Sequence, residues 1–279
     1  MKLGPYINIV RLPNAIMSSI AVFLGFWIAE SPLSLPNLFM LMIAAVFSTA
    51  YGNVTNDICD IETDRISHPT RPLPAGFINP VSALIFAILL AVGALMCSFF
   101  VSGIHGIATI IPLVLLTVYT FYLKGTPLTG NLLVALLVAY SIIYGAIGAP
   151  LFSKLLIPAI LAFLLNFSRE IVKDLQDHEG DRVAGYKTSA ALPENFLKSL
   201  IYCCSLFYLF SLFLPVYYHS FETVYLLVCI IFILPIHIYR TVFLIRPKNW
   251  HVHYAGITKL YKIEMLCGLL AIASDKIVF

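Results

Sequence analysis

Charge is scarce in this sequence. Only 11% of its 279 residues are Asp, Glu, Lys or Arg, whereas a soluble domain of this size carries about a quarter. That shortage, with 60% of the residues hydrophobic, excludes a water-soluble globular fold. The apolar runs do not alternate with polar residues, which excludes an outer-membrane type of barrel. No CxxC pair occurs among the six cysteines (59, 97, 203, 204, 229 and 267). They read as small apolar packing residues, neither disulfides nor metal ligands. The first apolar run is long, contains Asn14 and lacks a small-residue cleavage site, so it reads as a span and not as a cleaved leader.

What is present is a series of apolar runs near the length that crosses a ~30 Å hydrocarbon core. The fold class is therefore all-α, a polytopic membrane protein. Nine spans are expected, at 12–29, 36–55, 80–101, 104–122, 131–150, 155–173, 197–217, 222–244 and 255–279, in one domain covering 1–279. Lys and Arg set the orientation. With the N-terminus in the cytoplasm, fifteen of the seventeen fall at cytoplasmic ends or loops, and only Lys154 and Lys276 fall outside. The net charge of +3 reflects this bias and does not point to a nucleic-acid partner. The sequons at Asn53 and Asn166 lie at cytoplasmic ends in this topology and are not expected to be glycosylated.

The few acids are concentrated. Eight of the fourteen lie in two segments, NDICDIETDR and KDLQDHEGDR, and Glu170 just before the second makes nine. Asp57, Asp60 and Asp64 precede Arg65, and Asp174, Asp177 and Asp181 precede Arg182, with the same spacing 117 residues further on. On an ideal helix, positions i, i+3 and i+7 fall within about 60° of arc, so each triplet is expected to line one helix face. Asn53 and Glu170, four residues upstream of each triplet, extend those faces. Four spans separate the copies, which puts both on one side of the membrane and suggests two four-helix halves plus a ninth helix.

Two facing carboxylate triplets repel unless cations lie between them. Oxygen ligands without a Cys or His cluster suit Mg²⁺ better than zinc or copper. Arg65, Arg71, Lys124, Arg182 and Lys187 belong to the same cytoplasmic mouth and fit an anionic guest. A diphosphate held at the mouth of an apolar bundle implies a lipid diphosphate with its tail inside. Mg²⁺ stabilises a departing diphosphate, an apolar cavity keeps water from the resulting carbocation, and aromatic faces stabilise it. Tyr51, Tyr119, Tyr122, Tyr140 and Tyr144 are candidates for that last role.

NDICDIETD with the trailing RPLPAG resembles the UbiA superfamily of intramembrane prenyltransferases, and DLQDHEGD resembles that family's second Asp-rich motif. RLPNAIM (11–17) and YLKGTPLTGN (122–131) are similar to its first-helix signature and to its loop after helix four. The resemblance covers essentially the whole chain. It implies nine transmembrane helices around a central cavity open to the cytoplasmic side, Mg²⁺ dependence, and prenyl transfer from a prenyl diphosphate donor. By position, Asn56, Asp57, Asp60 and Asp64 would form one diphosphate–Mg²⁺ site, and Asp174, Asp177 and Asp181 the other. Lys124 and Arg71 would contact the diphosphate, and Asn14 would face the cavity near the donor's head group.

SREIVKDLQDHEGDRVAGYKT most resembles the branch that attaches a second geranylgeranyl chain to geranylgeranylglyceryl phosphate, a lipid acceptor whose free glycerol hydroxyl is the nucleophile. Gln176 and His178 depart from that pattern. Glu62, Glu170, Glu179 or the released diphosphate are candidates to take the hydroxyl proton. Two alternatives remain: a member of the same superfamily with an aromatic acceptor, and a cation transporter. The transporter predicts acids near the midplane of several spans.

Overall fold

A computed structural model describes residues 4–218, 221, 223–245 and 254–278 of the chain. Among the described residues the structure is helical throughout, with no strand. The helices in order are α1 (Gly4–Ile9), α2 (Leu12–Ile28), α3 (Leu35–Cys59), α4 (Ile61–Ser67), α5 (Pro80–Val101), α6 (Gly103–Val118), α7 (Thr129–Tyr144), α8 (Leu156–Val183), α9 (Glu194–Tyr217), α10 (Thr223–Val228), α11 (Leu234–Ile245) and α12 (Tyr254–Val278). Among the described residues six helical segments are long and apolar enough to cross a membrane: Leu35–Cys59, Pro80–Val101, Gly103–Leu123, Phe152–Val183, Glu194–Tyr217 and Thr223–Leu244. The helices Leu12–Ile28 and Thr129–Tyr144 are apolar but shorter, and Tyr254–Val278 carries five charged residues. Lys2, Arg246 and Lys248, which entered the charge argument for orientation, lie outside the described residues.

Local signals start these helices where the sequence supplies caps. The Ser34 and Asn79 side chains accept the backbone N–H of Asn37 and Val81, with a proline in the first turn of α3 and α5. The helices then pack through small residues. A Cβ on Gly25 of α2 would stand 1.9 Å from the Ile142 carbonyl, and one on Gly145 would stand 1.9 Å from the Val22 carbonyl. The backbones of α2 and α7 touch at that crossing, as small residues permit in a membrane bundle. Large apolar side chains face outward on α5 and α6, among them Met96, Phe100 and Ile107, a surface suited to lipid.

Two features lie beyond the periodicity. After Pro112 in α6, residues Tyr119–Leu123 form a π turn that ends at Lys124, a widening that often marks functional sites. Arg240, which the charge argument counts at a cytoplasmic end, is fully buried instead. Its Nε donates to Glu264 Oε2 at 3.0 Å, its guanidinium stacks over Tyr261 at 3.7 Å, and His237 Nδ1 lies 2.7 Å from Glu264 Oε1. Desolvation makes a lone buried charge prohibitive, so this set fastens α11 to α12 only as a pair.

Candidate active site

The first acidic motif straddles a helix break. α3 ends at Cys59, Asp60 caps it with φ −91° and ψ 5°, and α4 resumes at Ile61. The triplet therefore does not line one continuous helix face as its spacing predicts, because Asp60 takes a non-helical conformation at the junction. All three carboxylates are buried, and each meets a cation. Arg11 bonds Asp57, Lys124 bonds Asp60, and Arg71 Nη1 bridges both oxygens of Asp64 at 2.6 and 2.7 Å. Asn56 joins the set by donating to Asp60 Oδ2 at 2.7 Å and accepting from Lys124 at 3.0 Å. Burial pushes the Asp64 carboxyl above its ordinary value, against the pull of Arg71. Asn53 donates to the Val10 carbonyl at 2.9 Å, which ties α3 to the chain before α2.

The second motif lies within uninterrupted α8, so there the expected single face forms. Asp174 Oδ2 accepts from Asn131 Nδ2 at 2.9 Å and from the Ser189 backbone N–H at 3.1 Å. Asp177 Oδ1 lies 3.0 Å from His68 Nε2, and Asp181 is buried. Among the described residues no Lys or Arg lies within ion-pair distance of these three.

The fold brings the motifs together by laying α4 on α8. Gly180, inside the second motif, makes this approach possible. A Cβ there would fall 2.3 Å from Ser67 Oγ and 3.0 Å from the Thr63 carbonyl. The His68–Asp177 contact closes the same junction. Leu128 N–H donates to Ser189 Oγ and Lys187 N–H to the Gly125 carbonyl, which clips the loop carrying Lys124 onto the segment after α8.

Beside the motifs lies a cavity of about 300 Å³. Its body is apolar, with walls such as Met17, Leu137, Leu161 and Leu269, and its polar lining includes Arg11, Asn14, Asn53, Asn56, Arg169, Glu170, Lys173 and Lys262. Tyr119, Tyr140 and Tyr144 also line it. Of the other two candidate tyrosines, Tyr122 is exposed and Tyr51 bonds Thr117 at 2.6 Å outside the lining.

Thus Asn14, Asn53 and Asn56 reach the cavity, and Arg71 and Lys124 reach the carboxylates. Arg65, Arg182 and Lys187 are exposed, and Arg65 is taken by Glu62 at 2.9 Å. Of the candidate bases, Glu170 lines the cavity, whereas Glu62 and Glu179 are exposed. Sequence reasoning missed Arg11, Asn131, Arg169, Lys173, Ser189 and Lys262 as site residues. A usable signal existed for Arg169, Lys173 and Lys262, since a cation inside an apolar run is a functional candidate by default.

The donor set fits Mg²⁺ as a partial shell. Among the described residues no three His, Cys, Asp or Glu groups converge into a complete metal cage. Mg²⁺ rarely uses one, and combines one or two carboxylates with water and substrate phosphate. Asp60 Oδ1 is buried without a partner, an oxygen left available to a cation while its sister oxygen is held by Asn56 and Lys124.

The sequence profile of the UbiA prenyltransferase family matches residues 18–254. The chain belongs to that family. It is therefore a prenyltransferase, an enzyme. A relative from Methanosphaera stadtmanae, named digeranylgeranylglyceryl phosphate synthase, is 31% identical over 278 residues, covering 97% of this chain and 98% of its own. A solved structure of a digeranylgeranylglyceryl phosphate synthase superposes with TM-score 0.75 at 28% identity, covering 99% of both chains. The fold is also that of a UbiA homologue from Archaeoglobus fulgidus solved with GPP and Mg²⁺, with TM-score 0.64, 16% identity, and coverage of 97% of this chain and 100% of that one.

Proposed function

We propose that this UbiA-family enzyme transfers a geranylgeranyl group from its diphosphate to the free glycerol hydroxyl of geranylgeranylglyceryl phosphate, a step of ether-lipid synthesis. The observation that carries the reaction type is the junction of two carboxylate motifs, the first buried and the second partly buried, beside the polar end of an apolar cavity. The acceptor is supported by relatives named for that synthesis, which match this chain over nearly its full length.

In this reading the chain is one domain with nine spans, and the N-terminus and the mouth face the cytoplasm, as the Lys and Arg distribution favours. Asp57, Asp60, Asp64 and Asn56 would hold Mg²⁺ on one side of the diphosphate, and Asp174, Asp177 and Asp181 on the other. When bound, Mg²⁺ supplies positive charge that stabilises the departing diphosphate. Lys124 and Arg71, already placed by Asp60 and Asp64, bind diphosphate oxygens. The apolar wall excludes water while the allylic C–O bond breaks, and Tyr119, Tyr140 and Tyr144 present ring faces to the developing cation. The acceptor hydroxyl forms the new C–O bond. Glu170 is a poor base for its proton, because Arg169 and Lys173 already occupy its oxygens. The proton therefore passes to the released diphosphate.

The test is an Mg²⁺-dependent assay in detergent with radiolabelled geranylgeranyl diphosphate, offering geranylgeranylglyceryl phosphate and 4-hydroxybenzoate separately. Transfer to the glycerol phosphate is expected. Transfer to the aromatic alone would keep the reaction type and overturn the acceptor.

A further inference from the structure

One loop serves both carboxylate motifs. It leaves the π turn at Lys124, which bonds Asp60 of the first motif, and enters α7 at Asn131, which bonds Asp174 of the second. Between them Leu128 holds φ 63° and ψ −35°, a backbone region that a leucine rarely adopts. Such a conformation persists only where its surroundings over-determine it. The surroundings here are close and polar. The Leu128 N–H donates to Ser189 Oγ at 3.1 Å, and the Lys187 N–H donates to the Gly125 carbonyl at 3.3 Å. A Cβ on Gly130 would stand 2.9 Å from the Leu123 carbonyl oxygen, so the loop is folded tightly back on the π turn.

The hydrogen bonds that follow run in one direction. Ser189 Oγ already accepts from Leu128, and its single proton goes to Asn131 Oδ1 at 2.5 Å. With its carbonyl taken, the Asn131 amide turns Nδ2 to Asp174 Oδ2, at 2.9 Å. The Ser189 backbone N–H reaches the same oxygen at 3.1 Å. Ser189 is fully buried and Asn131 is 6% exposed, so water competes little for these groups. Both donors converge on Oδ2, and Asp174 Oδ1 takes no hydrogen bond among the described residues. The rest of the motif lacks this fixing. Among the described residues Asp177 meets one imidazole, and the Asp181 side chain takes no hydrogen bond.

We infer that Asn131 and Ser189 are positioning residues: they lock Asp174 so that only Oδ1 is left for a metal ion, and hold that oxygen in register with Lys124 through the strained Leu128 turn. The inference rests on the reading that the acidic motifs hold a metal–diphosphate. Its physical basis is pre-organisation, since a ligand oxygen fixed in advance loses little side-chain freedom on binding.

The experiment measures metal binding without turnover. Mn²⁺ replaces Mg²⁺ and is followed by the electron paramagnetic resonance signal of the free ion. The unreactive thiolo analogue of geranylgeranyl diphosphate is present, and no acceptor is added. Asn131→Ala and Ser189→Ala should each weaken Mn²⁺ binding about tenfold, the loss expected when a ligand's orienting partner is removed. In an Asp174→Asn background the same substitutions should change it by less than about twofold, because the carboxylate they act on is gone. In an Asp181→Asn background the loss of about tenfold should persist. Wild-type affinity in both single variants, or the same loss with Asp174→Asn, would overturn the inference. So would failure of both variants to fold by circular dichroism and gel filtration, which would assign the pair to stability alone. If wild type binds no Mn²⁺ with the analogue, the metal–diphosphate reading itself fails, and the positioning role falls with it.

Discussion

NDICDIETDR and KDLQDHEGDR share their carboxylate spacing and differ in almost everything the fold does with it. In the first, the helix breaks at Asp60 and each carboxylate is matched by its own cation, Arg11, Lys124 or Arg71. In the second, the helix continues and the partners are an amide, a backbone N–H and an imidazole. The first motif is close to electrostatic balance within the protein, whereas the second retains uncompensated negative charge. Equal spacing therefore does not mean equal roles. In the proposed mechanism the second motif has the greater need of a metal cation, and the first already carries basic groups that would meet the phosphates.

The largest expected effect breaks both motifs. Asp60→Asn and Asp177→Asn should each lower the transfer rate on the order of 10²–10³-fold, the loss typical of a group that stabilises developing charge. Circular dichroism and gel filtration should stay unchanged. Near-normal activity in both would sink the site assignment. The same pair sharpens the contrast in an Mg²⁺ titration. Asp177→Asn should raise the half-saturating Mg²⁺ concentration by about tenfold, more than Asp57→Asn does, and equal shifts would erase the distinction.

Next in size is Lys124→Met, which leaves buried Asp60 without its cation. The expected cost is about 2–3 kcal/mol, read as a lower melting temperature in detergent. Adding Asp60→Asn should return part of it, and strict additivity of the two losses would mean that the pair is not coupled. Gly180→Ala alters no polar group but forces α4 off α8, for about 1–3 kcal/mol of overpacking. Transfer should fall about tenfold through misaligned motifs; unchanged activity would show that their registration does not matter. The smallest effect belongs to Arg65→Ala, since its pair with Glu62 is exposed and worth under about 1 kcal/mol. A loss of transfer beyond about threefold would restore Arg65 to the site.

Much of this was legible in the chain. The shortage of charge and the long apolar runs imply a helical membrane protein, because a bilayer leaves backbone amides no partners but their own. The repeated triplets mark the site for a related reason: carboxylates are too costly in an apolar chain to recur at matched spacing without a use. Legibility failed where the partner was distant. Arg65 and Arg71 read alike beside the first motif, yet one faces solvent and the other grips Asp64, a choice set by how the 68–78 turn folds back. Arg240 read as a flanking cation because nothing local shows Glu264 waiting on the next helix.

The sequence by itself thus determined the class of fold and the two acidic motifs, since these follow from composition and from spacing along one helix, and it supplied the basis for the ligand proposed for them. Only the tertiary structure decided that the first motif breaks at Asp60 and that Gly180 seats one motif on the other. It alone gathers Arg11, Arg169, Lys173 and Lys262 around one cavity wall. Those outcomes depend on which groups are buried together, and burial pairs residues far apart in the chain: Arg11 with Asp57, Lys124 with Asp60, and His68 with Asp177.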